Sequence, residues 1–171
     1  MPKLHLPPNR RRDLVFAAIA LLVVAADQLS KWWITKWWET AHPPDGILWN
    51  AGFFRIIRVQ NTGAAFGIFQ GHPLIFTIID FVGIAVILAL VLFFTRRWQV
   101  LDRMWVRSGI GLILGGTVGN LIDRLRVGQV TDFFDVKIWP TFNVADASIT
   151  VGVIILIFCI IFLSKPSGKR V

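Results

Sequence analysis

Six aspartates, Asp27, Asp80, Asp123, Asp132, Asp135 and Asp146, stand inside or at the edges of strongly apolar stretches of this 171-residue chain. Charge in such a setting is costly, so each is a candidate for chemistry until a structural partner explains it. Asp132 and Asp146 lie 14 positions apart at the two ends of a short return segment within "VTDFFDVKIWPTFNVADASITVG", which can fold back and bring them together. Two adjoining carboxyls cannot both ionise easily; one keeps a proton and serves as an acid while the other serves as a base. Such a pair is equipped to split an amide with water. Asp146 also has a purely structural reading, as the third residue of a helix N-capped by Asn143 in a capping-box-like pair that suits the helix dipole. In "DQLSK", Asp27 and Lys31 are four residues apart with the acid first, the favourable order for a helical ion pair. They either neutralise one another or orient something in a site.

The elements that must hold these groups are helices in a membrane. Charged residues make up only 16% of the chain and hydrophobic ones 55%, and the mean hydropathy is +0.65, which excludes an ordinary soluble domain. Four stretches are long enough to cross a hydrocarbon core, at about 13–34, 73–94, 104–125 and 144–163. The expected fold is an all-α membrane protein of four transmembrane helices, one polytopic domain over 1–171. The first stretch is expected to remain as a span, because it runs on into Asp27, Lys31 and a tryptophan pair without a small-residue cleavage site.

Basic residues set the orientation. Lys3, Arg10 to Arg12, Arg96, Arg97, Arg103, Arg107, Lys165, Lys169 and Arg170 fall on one side and the other seven of the 18 on the opposite side, so both termini are expected in the cytoplasm. The net charge of +8 is then a topology signal that also suits membrane lipids with anionic headgroups, and no nucleic-acid partner is expected. Cys159, in "ILIFCIIFL", reads as a packing residue, since nothing nearby would stabilise a thiolate. His5, His42 and His72 lack metal-ligand spacing, so no metal site is expected.

Residues 35–72 are too patterned for a bare connector. "ILWNAGFFRIIRVQNTGAAFGIF" mixes β-branched and aromatic residues with turn formers, which predicts two or three short strands, a small extracytoplasmic β-sheet over about 47–70 between helices one and two. Trp32, Trp33, Trp37 and Trp38 just before it suit an interfacial aromatic belt. In the third span, Gly111, Gly115 and Gly119 form a small-residue stripe for close helix packing. Beside it Gly116, Asn120 and Arg124 form a second stripe that grows more polar toward the outside, with Asp123 close by, and is expected to face an outer polar cavity.

Five ordered blocks, "DQLSK" at 27–31, "QNTGAAFGIF" at 60–69, "GGTVGNLIDR" at 115–124, "VTDFFDV" at 130–136 and "FNVADASITVG" at 142–152, cover essentially the whole chain. Through them the sequence resembles the bacterial lipoprotein signal peptidases (signal peptidase II), membrane aspartyl proteases. The resemblance implies that Asp132 and Asp146 are a catalytic dyad. It implies that Asp27, Lys31, Asn61, Gly116, Asn120, Arg124, Asn143 and Ala145 shape or support the substrate site, with the small Ala64 and Ala65 leaving room for an extended substrate. It further implies hydrolysis of the signal peptide from prolipoproteins bearing a diacylglyceryl-cysteine, at the outer face of the inner membrane, with no metal or organic cofactor. Asp135 is then read as a loop residue, and Asp80 belongs to none of the blocks. A proton-coupled transporter is the rival class, but its acids belong near the midplane of discontinuous or repeated helices, whereas these cluster at one face.

Overall fold

The computed structural model describes residues 8–63, 71–94 and 103–163. Ala64 and Ala65, and the basic residues Lys3, Arg96, Arg97, Lys165, Lys169 and Arg170, lie outside them. In chain order the elements are α1 (Pro8–Ala41), β1 (Ile47–Ala51), β2 (Phe54–Asn61), α2 (Pro73–Ala89, continued by a π-helical turn at Leu90–Phe94), α3 (Met104–Val127), β3 (Val130–Asp135) and α4 (Val144–Leu163).

Helix α3 is the axis, and its two small-residue stripes explain why. Gly111 lies against the Phe16 carbonyl and Ile19, Gly115 against the Ala20 carbonyl and Val23, and Gly119 against the Asp27 carboxylate. The numbers rise together on both helices, so α1 and α3 run parallel along this seam. The neighbouring stripe faces α4 in the opposite sense: Gly109 meets Gly152, and Gly116 meets Ala145 and Ile149. Without side chains at these positions the backbones approach closely, which in lipid substitutes packing for a missing hydrophobic drive between helices. Cys159 is buried in the apolar cluster at the other end of the bundle, with Phe16, Ala20, Val106, Ile110 and Leu114, in keeping with a packing role.

The outer faces of the helices are apolar and bare. Leu21, Leu74, Ile78, Phe93 and Ile160 are all more than half exposed, and α2 buries no residue fully. Hydroxyls on the helices bond to carbonyls one turn back, Thr77 to Pro73, Thr117 to Ile113 and Ser148 to Val144, which leaves few polar atoms facing outward. Among the described residues three helical segments, Arg10–Ala41, Pro73–Phe93 and Val144–Phe162, are long and apolar enough to cross a membrane. Helix α3 is not among them by composition, and its polar residues Arg107, Asn120 and Asp123 are buried.

The sheet differs from the expectation in one respect. Two strands, β1 and β2, do lie between α1 and α2, joined by a tight turn in which the Gly52 N–H is held by the Asn50 side chain and Gly52 adopts a positive φ of 78°. The third strand comes from after α3: β3 pairs antiparallel with β2 in the order β1-β2-β3. "VTDFFDV" therefore forms a strand where a return loop was expected. Pairing with β2 satisfies its backbone, and Gly128, left-handed at φ 75°, turns the chain out of α3 into it.

Gly115→Ala should lower stability by about 1–3 kcal/mol, because its Cβ would sit 2.7 Å from the Ala20 carbonyl oxygen and from Val23 Cβ. Gly83→Ala, whose Cβ would find its nearest neighbour 4.0 Å away, should be neutral or stabilising. Thermal unfolding of the two variants in one detergent checks the contrast, and equal melting points would contradict the packing described.

Candidate active site

The site is built around one buried ammonium. Lys31 Nζ, on α1, reaches Asp27 Oδ2 at 2.8 Å, Asp123 Oδ2 at 3.1 Å and Asn120 Oδ1 at 3.0 Å, so each of its three protons has an acceptor. Asp27, fully buried, accepts the Ala145 backbone N–H on its other oxygen at 3.0 Å and so ties α1 to the start of α4. A Cβ on Gly119 would lie 2.6 Å from Asp27 Oδ2, so this glycine makes room for the carboxylate. Asp123 accepts from Gln28 Nε2 on one oxygen and from the Thr131 backbone N–H on the other, both at 3.1 Å, which anchors the start of β3 to α3.

Carboxamides carry the order from this cluster to the two aspartates. Asn120 Oδ1 accepts from Lys31 and from Asn143 Nδ2, which turns its Nδ2 toward Asp146 Oδ1 at 2.8 Å. Asn143, also fully buried, donates to Asp132 Oδ1 at 2.8 Å. Its own Oδ1 accepts the Asp146 N–H at 3.0 Å while Asp146 Oδ2 accepts the Asn143 N–H at 3.2 Å. The capping box read from the sequence is thus formed, and it coexists with a place in the site. Asn61, the last residue of β2, completes the set. Its Oδ1 holds the Gly63 N–H at 2.9 Å, and its Nδ2 donates to Asp132 Oδ2 at 2.9 Å.

Strand geometry decides which acid of "DFFD" enters the site. Asp132 stands opposite Val59 and diagonal to Asn61, on one face of the ribbon. Asp135, three positions on, projects from the other face, opposite Arg55, whose guanidinium bonds to its carboxylate. Asp135 is therefore the buried end of a strand rather than a loop residue. Burial would raise its carboxyl, but the Lys137 N–H and the Arg55 guanidinium hold it below the usual range. For Asp132 the balance is reversed. Only 1% of it is exposed, and burial first, then the charge of Asp146, push its pKa up to about 7 despite the donors Asn61 and Asn143. A carboxyl tuned to half-protonation near neutrality beside a second carboxyl is equipped for acid–base work at an amide.

A family model described as signal peptidase (SPase) II matches residues 19–162. The chain belongs to the signal peptidase II family. A lipoprotein signal peptidase of Moorella thermoacetica is 40% identical over 155 residues, covering 91% of this chain and 98% of that one. One from Dehalococcoides mccartyi is 48% identical over 158 residues, covering 92% and 95%. A bacterial membrane enzyme solved in meso at 2.3 Å has a TM-score of 0.76 at 30% identity, covering 91% of this chain and 93% of its own. The chain is thus a membrane-embedded bacterial peptidase of the aspartic class.

Of the peptidase residues singled out from sequence, Asp27, Lys31, Asn61, Asn120, Asp132, Asn143, Ala145 and Asp146 share one continuous hydrogen-bond network. Gly116 contributes space, since its Cβ would lie 2.5 Å from the Ala145 carbonyl. Arg124 is not hydrogen-bonded into this network: it pairs with Asp80 of α2 at 2.5 Å and stacks over Phe76, which gives Asp80 a partner. Sequence reasoning gave no site role to Gln28, Gly119 or Thr131. Gln28 lay inside a quoted block, and Gly119 sits one turn before Asp123 on the stripe that faces α1.

Two outcomes follow. Lys31→Met leaves two buried carboxylates without their cation and should destabilise the protein by about 3–5 kcal/mol, seen as a lower melting point that Asp123→Asn in the same chain partly restores; an unchanged melting point would deny Lys31 its central place. For Asp132 the pKa in the fold lies above the ordinary 3.8, so the folded state binds that proton more tightly and is favoured most below about pH 4. Stability should then fall by up to roughly 4 kcal/mol as pH rises to about 7. The melting point of wild type relative to Asp132→Asn should decline across this window and level off above it, and a pH-independent difference would contradict the raised pKa.

Proposed function

We propose that this peptidase removes the signal peptide from prolipoproteins bearing a diacylglyceryl-cysteine, cutting the amide before that cysteine at the outer face of the bacterial cytoplasmic membrane. The observation that carries the reading is the pair Asp132 and Asp146, each held by its own donors and both joined to Asn143. Asp132 carries the proton that its raised pKa retains and gives a hydrogen bond to the scissile carbonyl. Asp146, less enclosed and fixed at the start of α4, takes a proton from the attacking water. The protons then pass to the departing amine. Asn61 closes one side of Asp132 and, with Gly63 turned back on it, lines the approach for an extended peptide. Asp27, Lys31, Asn120, Asn143, Gly116 and Ala145 act by positioning the pair, and Arg124 with Asp80 braces α2 against α3 beside it.

The membrane setting supports the same reading. Helix α3, at 24 residues, is about 36 Å long and can span a hydrocarbon core of roughly 30 Å as the fourth and innermost helix, shielded by the other three. The loop charges put both termini in the cytoplasm, and the dyad and sheet at the opposite surface. Trp32 and Trp33 are exposed on α1 at the level of the site, where an interfacial belt is expected. Bare apolar helix faces let the lipid tails of a substrate stay in the bilayer while its amide reaches the polar end.

Asp132→Asn and Asp146→Asn should each cut the rate of cleavage of a lipidated precursor at least about 100-fold, while membrane insertion is retained. Asn keeps the shape but cannot shuttle the proton. Turnover near wild type in either variant would overturn the dyad.

A further inference from the structure

The β2–β3 ribbon has a second polar face, turned away from the two aspartates. Residues on its site face, Asn61 and Asp132, alternate with Gln60 and Thr131, which line a cavity of about 170 Å³ that backs onto Lys31 and Asp123 and is also lined by Arg58, Arg126 and Trp32. Arg58 sits on β2 and Arg126 in the last turn of α3, so two guanidinium groups from different elements meet at one small opening.

Neither charge is spent elsewhere. Among the described residues neither Arg58 nor Arg126 forms an ion pair, and Arg58 Nε is buried with no hydrogen-bond partner. Glu39 feels the charge of Arg58, but its carboxylate is engaged by Lys36 at 2.7 Å. The one acid that lines the cavity, Asp123, has both oxygens occupied by Gln28, Lys31 and Thr131. A buried guanidinium N–H without an acceptor, next to a second unpaired guanidinium, calls for an anion with several oxygens, and phosphate fits that fork geometry. The volume suits a headgroup phosphate rather than a whole lipid. The opening itself is partly apolar: Trp32 and Val127, which line it, are each more than half exposed.

We propose that this cavity binds the phosphodiester of an anionic phospholipid, with Arg58 and Arg126 on the phosphate and the acyl chains running along the Trp32 and Val127 surface. The bound phosphate bridges β2 to the end of α3 and so fastens the sheet to the helices from the side opposite the dyad. It touches neither Asp132 nor Asp146 and takes no part in the cleavage step.

The test uses the full chain in phosphatidylcholine nanodiscs doped with phosphatidylglycerol, and native mass spectrometry of the protein released from them. Wild type should retain one phosphatidylglycerol, and Arg58→Gln with Arg126→Gln should reduce that retention at least fivefold while a precursor is still cleaved at the wild-type rate. Lys36→Gln with Lys137→Gln removes two charges elsewhere and should keep the lipid. Equal retention in all three proteins, or equal loss in both double variants, would overturn the site. Should the arginine pair fail to fold, the exposed Arg126→Gln alone is expected to lose part of the retention, and no loss there overturns the proposal equally. Millimolar inorganic phosphate added to pure phosphatidylcholine discs separates the sources: no change in melting point supports the lipid, and stabilisation matching that by phosphatidylglycerol would overturn the lipid in favour of free phosphate.

Discussion

Removing the Lys31 ammonium from water is the constraint around which this molecule is arranged. A buried cation is costly, and an attraction to one carboxylate offsets that cost only when its remaining protons are also bonded. Asp27 lies one helical turn away and supplies the first acceptor at 2.8 Å; the other two, Asp123 and Asn120, come from α3. Helix α3 can bring them near only because Gly111, Gly115 and Gly119 let its backbone press against α1. The glycine seam and the ion cluster are therefore one device: small residues give the approach, and the polar end fixes the register along which the helices approach. A slip of α3 by one turn would carry Asp123 and Asn120 away from Lys31 and leave Asp123 without its cation, while the Asp27–Lys31 pair within α1 would stay.

The same ammonium settles the orientation of two carboxamides, Asn120, which it touches, and Asn143, which it does not. A carboxamide can point either way, and its direction follows from its partners. Because Lys31 can only donate, Asn120 must turn its oxygen inward, and its amino group then faces Asp146. Asn143 is turned by the same logic: its amino group shares the Asn120 oxygen and reaches Asp132, while its oxygen caps α4. A chain of donors and acceptors with one permitted direction thus runs from α1 to both aspartates. Polar networks of this kind hold geometry well when every member is satisfied and fail when one is not.

What could be read from the sequence follows from how local each interaction is. The Asp27–Lys31 pair and the Asn143–Asp146 box each span a single helical turn, so spacing alone announces them. The two stripes of α3 were likewise legible as small and polar faces, because helical periodicity is fixed. Which neighbour each face meets depends on tertiary placement, and so the pairing of Arg124 with Asp80 on α2 could not be read from the stripe it shares with Asn120. The origin of β3 was hidden for a similar reason. "VTDFFDV" has the composition of a strand, yet its partner β2 lies on the far side of two helices in sequence. That pairing also separates Asp132 from Asp135, since the alternation of a strand has meaning only once its neighbour is known.

The different settings of Asp132 and Asp146 follow from the elements that carry them. A buried strand residue such as Asp132, held by Asn143 and Asn61, loses its water, and for a carboxyl that loss favours the neutral form. Asp146 stands in the first turn of α4, where its carboxylate accepts the Asn143 backbone N–H and the Asn120 amide. A strand and a helix start brought together around one asparagine give two chemically identical acids different surroundings. The proposed division of labour, with the proton on Asp132 and the base at Asp146, is therefore set by secondary structure.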